Sequence, residues 1–344
     1  MGLIPGYAHL VLARCRHAME GWCLTPGMIA RLCFSMLFIT GLLISPSIEQ
    51  ASADGKAALR PLRVVTYNLL HDGPGSGFLT GDTRLEERLQ MVIRELQGLD
   101  PDIVAVQEAS ESRRHGHVPD RLASALGFHV VFAPATEHLF GIRPLDRLVV
   151  GLLGFKEGSA ILSRFPIVAS QVYELPRCTS WIDRRILLRA ELSTPWGPLQ
   201  MFSTHTARGD DCQVDRVGDI LRDRRDAGPS VLAGDFNMPD TSKELARLRD
   251  DGGFVDVFRR ANPTAEGPTV YQRIHAFEPT VSRRVDFIWL LNGEKSSVTV
   301  RSSRIVLNRP KPLPDGSALW PSDHYGVLVD LDIPPLPSAQ AAMP

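Results

Sequence analysis

Eight polar residues stand where apolar segments of this chain stop or start. Asn68 follows LRVVTY, Glu108 follows IVAVQ and His205 follows LQMFST. Asp235 and Asn237 close SVLAGDFN, Asp286 opens DFIWLL, and Asp323-His324 immediately precede YGVLVDL. Any one of these can be an ordinary turn or rim residue, since Asp and Asn are common in turns. Alternate residues of an extended segment share a face, however. Asp235 and Asn237 would then project together into one crevice, and strand ends facing a crevice are where α/β enzymes place their sites. The residue types suit one chemistry. Asn68, Glu108, Asp235 and Asp323 offer hard oxygen ligands for Mg²⁺, with Mn²⁺ or Ca²⁺ as alternatives. His205 and His324 can transfer a proton or stabilise a developing phosphoryl charge. Asp286 can orient an imidazole from behind, or it can pair with its neighbours Arg283 or Arg284. The chain has no G-x-S-x-G, P-loop or G-x-G-x-x-G, so serine-hydrolase and nucleotide-fold readings have no support.

The elements that must position these residues are legible as alternating strands and helices. Leu62 to Asn68 reads as a strand by its β-branched content. A glycine-rich loop follows, HDGPGSGFLTGDT. Residues 84–96 carry apolar positions at helical spacing, and Asp100-Pro101 ends that helix. Ile103 to Val106 is a short buried strand, 118–126 a helix and 128–132 a strand. Residues 133–157 resist assignment. Within them LVVGLLGF (148–155) reads as a core strand or an exposed apolar loop. The segments 159–162, 167–175, 186–192 and 199–204 read as an antiparallel meander turning at Arg164-Phe165-Pro166 and Thr194-Pro195-Trp196-Gly197. Residues 213–224 and 241–249 are expected helices, and 230–234, 285–291, 297–306 and 325–331 expected strands. This pattern predicts an α/β fold of two sheets packed face to face with helices outside.

The chain has 344 residues, 44% of them hydrophobic and 22% charged, which is ample for one large core. Residues 54–335 are expected to form a single domain, followed by a Pro-rich, frayed tail at 336–344. The start is different. A short basic stretch from Met28 to Arg31 leads into a 13-residue apolar run, Leu32 to Ile44, and then into Ala51-Ser52-Ala53. That order is the signature of a secretory signal, with Met28 as a candidate true start and cleavage expected after Ala53. The run is short for a membrane span. The expected location is therefore secreted or periplasmic, or membrane-anchored if the leader is uncleaved. Removing residues 1–53 takes away Arg14, Arg16, Arg31, Glu20 and Glu49 and leaves a near-neutral remainder. No global basic excess points to nucleic acid.

The motifs TYNLL (66–70), PDIVAVQE (101–108), GSAILSRFPI (158–167), STHT (203–206), LAGDFNMPD (232–240), RVDFIWL (284–290) and SDHYGVLVDL (322–331) occur in the order found in the endonuclease/exonuclease/phosphatase superfamily. The chain resembles this group from about residue 62 to 332. Its members include pancreatic-type deoxyribonucleases, abasic-site endonucleases, neutral sphingomyelinases and inositol polyphosphate 5-phosphatases. The resemblance implies a four-layer α/β/β/α sandwich of two mostly antiparallel sheets with outer helices. It implies a Mg²⁺-dependent phosphoester hydrolase, a phosphodiesterase or phosphatase. Glu108 would be the principal metal ligand, with Asn68 beside it and Asp323 near it. Asp235 would orient or deprotonate the attacking water, and Asn237 would hold the phosphate or that water. His205 would donate to a phosphate oxygen, and His324, oriented by Asp286, would contact the phosphoryl group. STHT departs mildly from the family pattern, in which a leucine often follows the histidine.

Three of the five cysteines lie in the leader, leaving Cys178 and Cys212. If the meander places His205 at the active mouth, the 176–184 loop lies at the same mouth. A disulfide between Cys178 and Cys212 is then expected to brace the rim. Trp181, Arg184, Arg185 and Arg208 in that region are candidate substrate contacts, or merely solvated rim residues. The substrate class stays open between lipid headgroups, small phosphate esters and nucleic acid. Arg113-Arg114-His115 hints at a basic track for DNA, which would make the chain a secreted endonuclease. LVVGLLGF hints at a membrane-surface contact. Export and near-neutral charge favour a lipid or small phosphoester. A non-catalytic binding module on the same fold is the remaining reading, and the full set of expected site residues argues against it. Nothing points to an obligate protein partner.

Overall fold

Alternation with a period of two runs through most strands and sorts the side chains into layers. The structure is a computed structural model describing residues 60–71, 83–135, 142–178, 184–209, 211–225, 228–293 and 297–334. The chain divides into two compact units, Met1–Ala57 and Ala58–Pro344. Every described residue belongs to the second. The expected leader, the expected tail and Trp181 lie outside the described residues.

The elements run β1 (Leu62–Asn68), α1 (Leu85–Leu99), β2 (Ile103–Ser112), β3 (Gly116–His117), α2 (Val118–Leu126), β4 (His129–Pro134), α3 (Arg143–Leu153), β5 (Phe155–Ser163) and β6 (Ile167–Glu174). They continue with β7 (Ile186–Thr194), β8 (Gly197–His205), α4 (Asp211–Arg222), β9 (Ser230–Asp235), α5 (Lys243–Asp250), β10 (Val255–Asp256), α6 (Val257–Ala261) and β11 (Asp286–Leu291). The last are β12 (Thr299–Val306), β13 (Lys311–Pro312), β14 (Ala318–Leu319) and β15 (Gly326–Asp332). One sheet has the order β12-β15-β1-β2-β5-β4, and the other β10-β11-β9-β8-β7-β6. The pairs β1–β2 and β8–β9 are parallel. Each is joined by a crossover that contains a helix, as parallel neighbours require. The other pairings are antiparallel.

Three apolar layers hold these elements together. The layer between the sheets contains Val64, Ala105, Leu188, Met201, Ala233, Ile288 and Val329. Helices α1 and α2 cover the outer face of the first sheet through Leu89, Val92, Leu96 and Leu122. Helices α4 and α5 cover the second through Val217, Leu221 and Leu245, against Phe202, Phe287 and Trp289. The result is an α/β/β/α sandwich.

Two sequence expectations need correction. LVVGLLGF is neither a strand nor a loop: residues up to Leu153 form α3, and Phe155 begins β5. Gly154, at φ 59°, ends the helix with its N–H on the Val150 carbonyl, the left-handed stop that glycine accepts freely. The expected four-strand meander is also split. β6, β7 and β8 pair in sequence, but β5 pairs with β2 and β4 in the other sheet. Arg164-Phe165-Pro166 therefore carries the chain from one sheet to the other, and Phe165 packs edge-on against Trp196 in the layer between them.

Toward one end of the sandwich the inner layer changes character. Continuing the inward alternation beyond Val64, Ala105, Met201 and Ala233 brings in Thr66 and Asn68, Gln107, Ser203 and His205, and Asp235. All are nearly or fully buried. Thr66 Oγ1 lies 3.2 Å from Gln107 Oε1, and Gln107 donates to Ser203 Oγ at 3.2 Å. The core thus passes into a hydrogen-bonded polar floor on which the site is built.

Candidate active site

In the second sheet, three site residues form one row. His205 pairs in register with Asp235 across β8–β9, and Asp235 pairs with Asp286 across β9–β11. Residues in register share a face, so all three side chains look towards the first sheet. From that sheet Asn68 reaches across and donates through Nδ2 to Asp235 Oδ2 at 3.1 Å and to Glu108 Oε1 at 3.2 Å. Its Oδ1 accepts from the Leu70 N–H at 3.0 Å, which fixes the orientation of the amide.

Glu108 follows inward-facing Gln107 and in a regular strand would face away. A bulge between Val106 and Ala109 in the β2–β5 pairing adds one residue. Glu108 takes φ 51° there. A bulge re-aims a side chain, and this one brings both residues to the same end. The Glu108 carboxylate also accepts from the His71 N–H at 3.2 Å and lies 3.6 Å from His71 Nε2. Asn237 is likewise left-handed, at φ 51°. Non-glycine residues rarely adopt that region, and they cluster at functional sites.

The segment before β15 supplies His324. Its Nδ1 lies 2.9 Å from Asp286 Oδ2, and its Nε2 lies 3.7 Å from Asp235 Oδ2. Burial alone would lower the His324 pKa, but the charges of Asp286 and Asp235 outweigh it and hold the imidazole at about 10. It is therefore a cation at neutral pH. Burial pushes Asp235 the other way, from 3.8 to about 7, with the Asp286 charge adding to the rise and His324 opposing it. Asp286 is not tied to Arg283 or Arg284. Arg284 is instead buried in a two-pronged pair with Asp256 at 2.9 and 2.6 Å, and it also reaches Asp240 at 3.2 Å.

Asn237 binds four neighbours. Its N–H donates to Asp235 Oδ1 at 2.8 Å, its Nδ2 meets His205 Nε2 and the Thr206 carbonyl at 2.9 Å each, and its Oδ1 accepts from Arg208 Nε at 3.2 Å. The amide orientation set by Thr206 and Arg208 makes His205 Nε2 an acceptor. Burial, followed by the charges of Arg185 and His324, holds the His205 pKa well below 6.5, so the ring is neutral. In this network His205 positions Asn237, and donating to phosphate from Nε2 would require a proton to arrive there.

Two places could hold a cation. Asp235, Asp286 and His324 each offer one ligand atom within 4.8 Å of the others. The Asp286–His324 hydrogen bond at 2.9 Å engages one atom of each residue for orientation, however, and makes the trio a proton-handling group. Glu108 and Asp323 fit a hard divalent cation better, and Asn68, whose Nδ2 faces Glu108 while its Oδ1 holds the Leu70 N–H, would add an oxygen only with its amide turned. Burial raises the Asp323 carboxyl, His324 draws it down, and the Glu108 charge raises it further. Like charges converging in this way are relieved by a bound cation.

Behind the site, fully buried Arg88 of α1 donates to the carbonyls of Leu69, Leu70, Thr83 and Pro321 at 2.7–3.1 Å. Ser322 Oγ donates to the Asn68 carbonyl at 2.7 Å. These contacts fix the segments that carry Asn68 and Asp323. At the rim, Cys178 and Cys212 are joined across 34 residues, with Cα atoms 6.4 Å apart. Arg184 is held by Glu174 at 3.1 Å. Arg208 and Arg283 both lie over the Tyr271 ring, at 5.1 and 5.6 Å from its centre, and Tyr271 stands edge-on to His324. Sequence reasoning passed over His71 and Tyr271, and weighed Arg283 only as a partner for Asp286. None of them ends an apolar segment.

This sandwich, with its amide, carboxylate and imidazole groups gathered at one end, is a phosphoesterase- or nuclease-like protein. The model of the Endonuclease/Exonuclease/phosphatase family matches residues 65–324, and the chain belongs to that family. Its members are hydrolases of phosphoesters and usually use a divalent metal. Similar solved structures include a family member from Bacteroides thetaiotaomicron at 20% identity and TM-score 0.61, covering 81% of this chain and 100% of that one. Another is a mannosyl-6-phosphatase from the same organism, at 20% identity and TM-score 0.59, covering 78% and 99%. A third is the human Nocturnin catalytic domain with a bound sulfate anion, at 22% and 0.57, covering 80% and 94%. At these identities the likeness is one of fold. No curated protein matches the chain.

Proposed function

We propose that the chain is an exported phosphoester hydrolase dependent on a divalent cation, Mg²⁺ first. The observation that carries this reading is buried Asp235. It lies between the His324 cation, 3.7 Å away, and the Asn68–Glu108 group of the facing sheet. A carboxyl at about 7 can accept a proton from water near neutral pH. Asp235, held by the Asn237 N–H and by Asn68, orients a water against phosphorus and takes its proton as the new P–O bond forms. The ester P–O bond opposite breaks, and the leaving oxygen departs as an alcohol once protonated. His324, fixed by Asp286, donates through Nε2 to a phosphoryl oxygen. Asn237 bounds the same space. Glu108 and Asp323, with Asn68 beside them, would hold the cation, which supplies charge neutralisation for the phosphoryl group.

The test is turnover of bis-p-nitrophenyl phosphate, inositol phosphates, sphingomyelin vesicles and plasmid DNA, with Mg²⁺ and with EDTA. Cation-dependent hydrolysis that is lost in Asp235→Ala is expected. Nicked plasmid as the best substrate would replace the lipid or small-phosphoester reading with an endonuclease. No turnover on any substrate, together with no Mg²⁺ binding, would leave a binding module.

A further inference from the structure

Seven large apolar side chains are exposed among the described residues, and four of them fall within eleven positions: Ile142 (58%), Leu145 (40%), Leu148 (59%) and Leu152 (73%). Their spacing puts them along one side of α3. Asp146 and Val150 of the same helix are turned inward and buried. This is the reverse of an ordinary surface helix, whose apolar stripe faces the core. A contiguous exposed stripe of this kind marks an interaction surface.

The surroundings point to what it meets. Asp146 is the only acid in the α3 sequence, which also contains Arg143 and Arg147. Exposed Arg113 lies against the helix, donating to the Gly151 carbonyl at 3.0 Å, and exposed Arg114 follows it in sequence. The nearby acid Glu111 is paired with Lys156 at 3.1 Å. An exposed apolar stripe with exposed arginines beside its C-terminal end complements an anionic lipid surface, in which a short helix lies in the plane with its apolar side in the acyl boundary.

The helix is also joined to the site. Phe155, two residues beyond its end, packs on His71 with ring centres 5.1 Å apart, and His71 touches Glu108. Glu157, two residues further along β5, lies 4.0 Å from His205.

We propose that α3 docks on an anionic phospholipid bilayer and brings the active mouth to headgroup phosphodiesters. The class of substrate rests on the hydrolase reading above, but the docking does not. The docking is tested without catalysis, in EDTA, by co-sedimentation with vesicles of phosphatidylcholine and phosphatidylglycerol. The chain from Asp54 onward is used because it retains the whole second compact unit and lacks the apolar run 32–44, which would itself bind lipid. Leu148→Glu/Leu152→Glu is expected to lower vesicle partitioning at least tenfold. It should leave the melting temperature and the hydrolysis of soluble phosphodiester unchanged. Failure of the unaltered chain to bind vesicles, or equal binding by the variant, would overturn the proposal. So would gel filtration showing a dimer that the variant dissociates, because the stripe would then cover a second copy of this chain.

Discussion

Replacing Asp235 with asparagine should stabilise the cation-free protein while abolishing turnover. Asp235 is 1% exposed, so water does little to screen its charge. Its carboxyl is raised from 3.8 to about 7, chiefly by burial. A raised carboxyl favours the folded state fully below its unfolded pKa, and that contribution is lost as pH climbs through the folded pKa. The window here is pH 3.8 to about 7. At about 1.4 kcal/mol per pH unit, ionising Asp235 costs the folded protein roughly 4 kcal/mol at pH 8. Asparagine removes that cost and leaves the Asp286–His324 pair neutral overall. It also places a second NH₂ group against Asn68 Nδ2, now 3.1 Å from Asp235 Oδ2. That loses one buried hydrogen bond at about 1–3 kcal/mol. The net gain at pH 8 is about 1–3 kcal/mol, or a melting temperature several degrees higher. At pH 5, where the carboxyl is mostly protonated in the folded state, the advantage should shrink by about 2 kcal/mol. Calorimetry of both proteins in EDTA at pH 5 and pH 8 is the assay. A variant that melts lower at both pH values, or whose advantage does not grow with pH, would refute the account of Asp235 as a desolvated charge.

Other perturbations probe separate parts of the site. Asp286→Asn removes the largest influence holding His324 at about 10. The alkaline limb of the activity profile should move to lower pH, and an unmoved limb would mean that His324 is not the group seen there. Arg283→Ala removes one of the two guanidinium groups over Tyr271. It should raise KM several-fold for anionic substrates and leave kcat nearly unchanged, and steady-state kinetics decide. Cys178→Ser/Cys212→Ser opens a 34-residue loop and should cost about 3 kcal/mol of stability by urea titration. Arg88→Met leaves the carbonyls of Leu69, Leu70, Thr83 and Pro321 without their donor. It should cost about 3 kcal/mol or more and reduce Mg²⁺ affinity, measured by calorimetry.

What could be read from the sequence depended on how local its cause was. Asn68, His205, Asp235 and Asp286 end or begin apolar runs, and period-two alternation alone puts them on the inner face, where the structure finds them. Helices α1, α2, α4 and α5 carry ordinary core-facing stripes and were visible for that reason. α3 was not, because its stripe of leucines faces outward, and periodicity does not say which side of a helix is wet. The bulge at Glu108 is set by how β2 pairs with β5, which local sequence does not report. The exchange of sheets at Arg164-Phe165-Pro166 looks like any turn until its flanking strands find partners. Tyr271 and Arg283 meet only because Val270 bridges both Arg283 and His324, contacts that no spacing rule anticipates.

β15 has a further consequence. It is the last strand described, yet it lies inside its sheet, paired with β1 on one side and β12 on the other. While the chain is being made, β1 keeps a bare edge until some 260 later residues have appeared, and neither Asp323 nor His324 exists. The first sheet cannot close, and the row His205–Asp235–Asp286 has nothing opposite to complete it. A nascent or truncated chain therefore holds no working hydrolase. Recovery of turnover during refolding should be timed by the arrival of β15, whose pairing with β1 is the longest-range among the described strands and the slowest kind of contact to form.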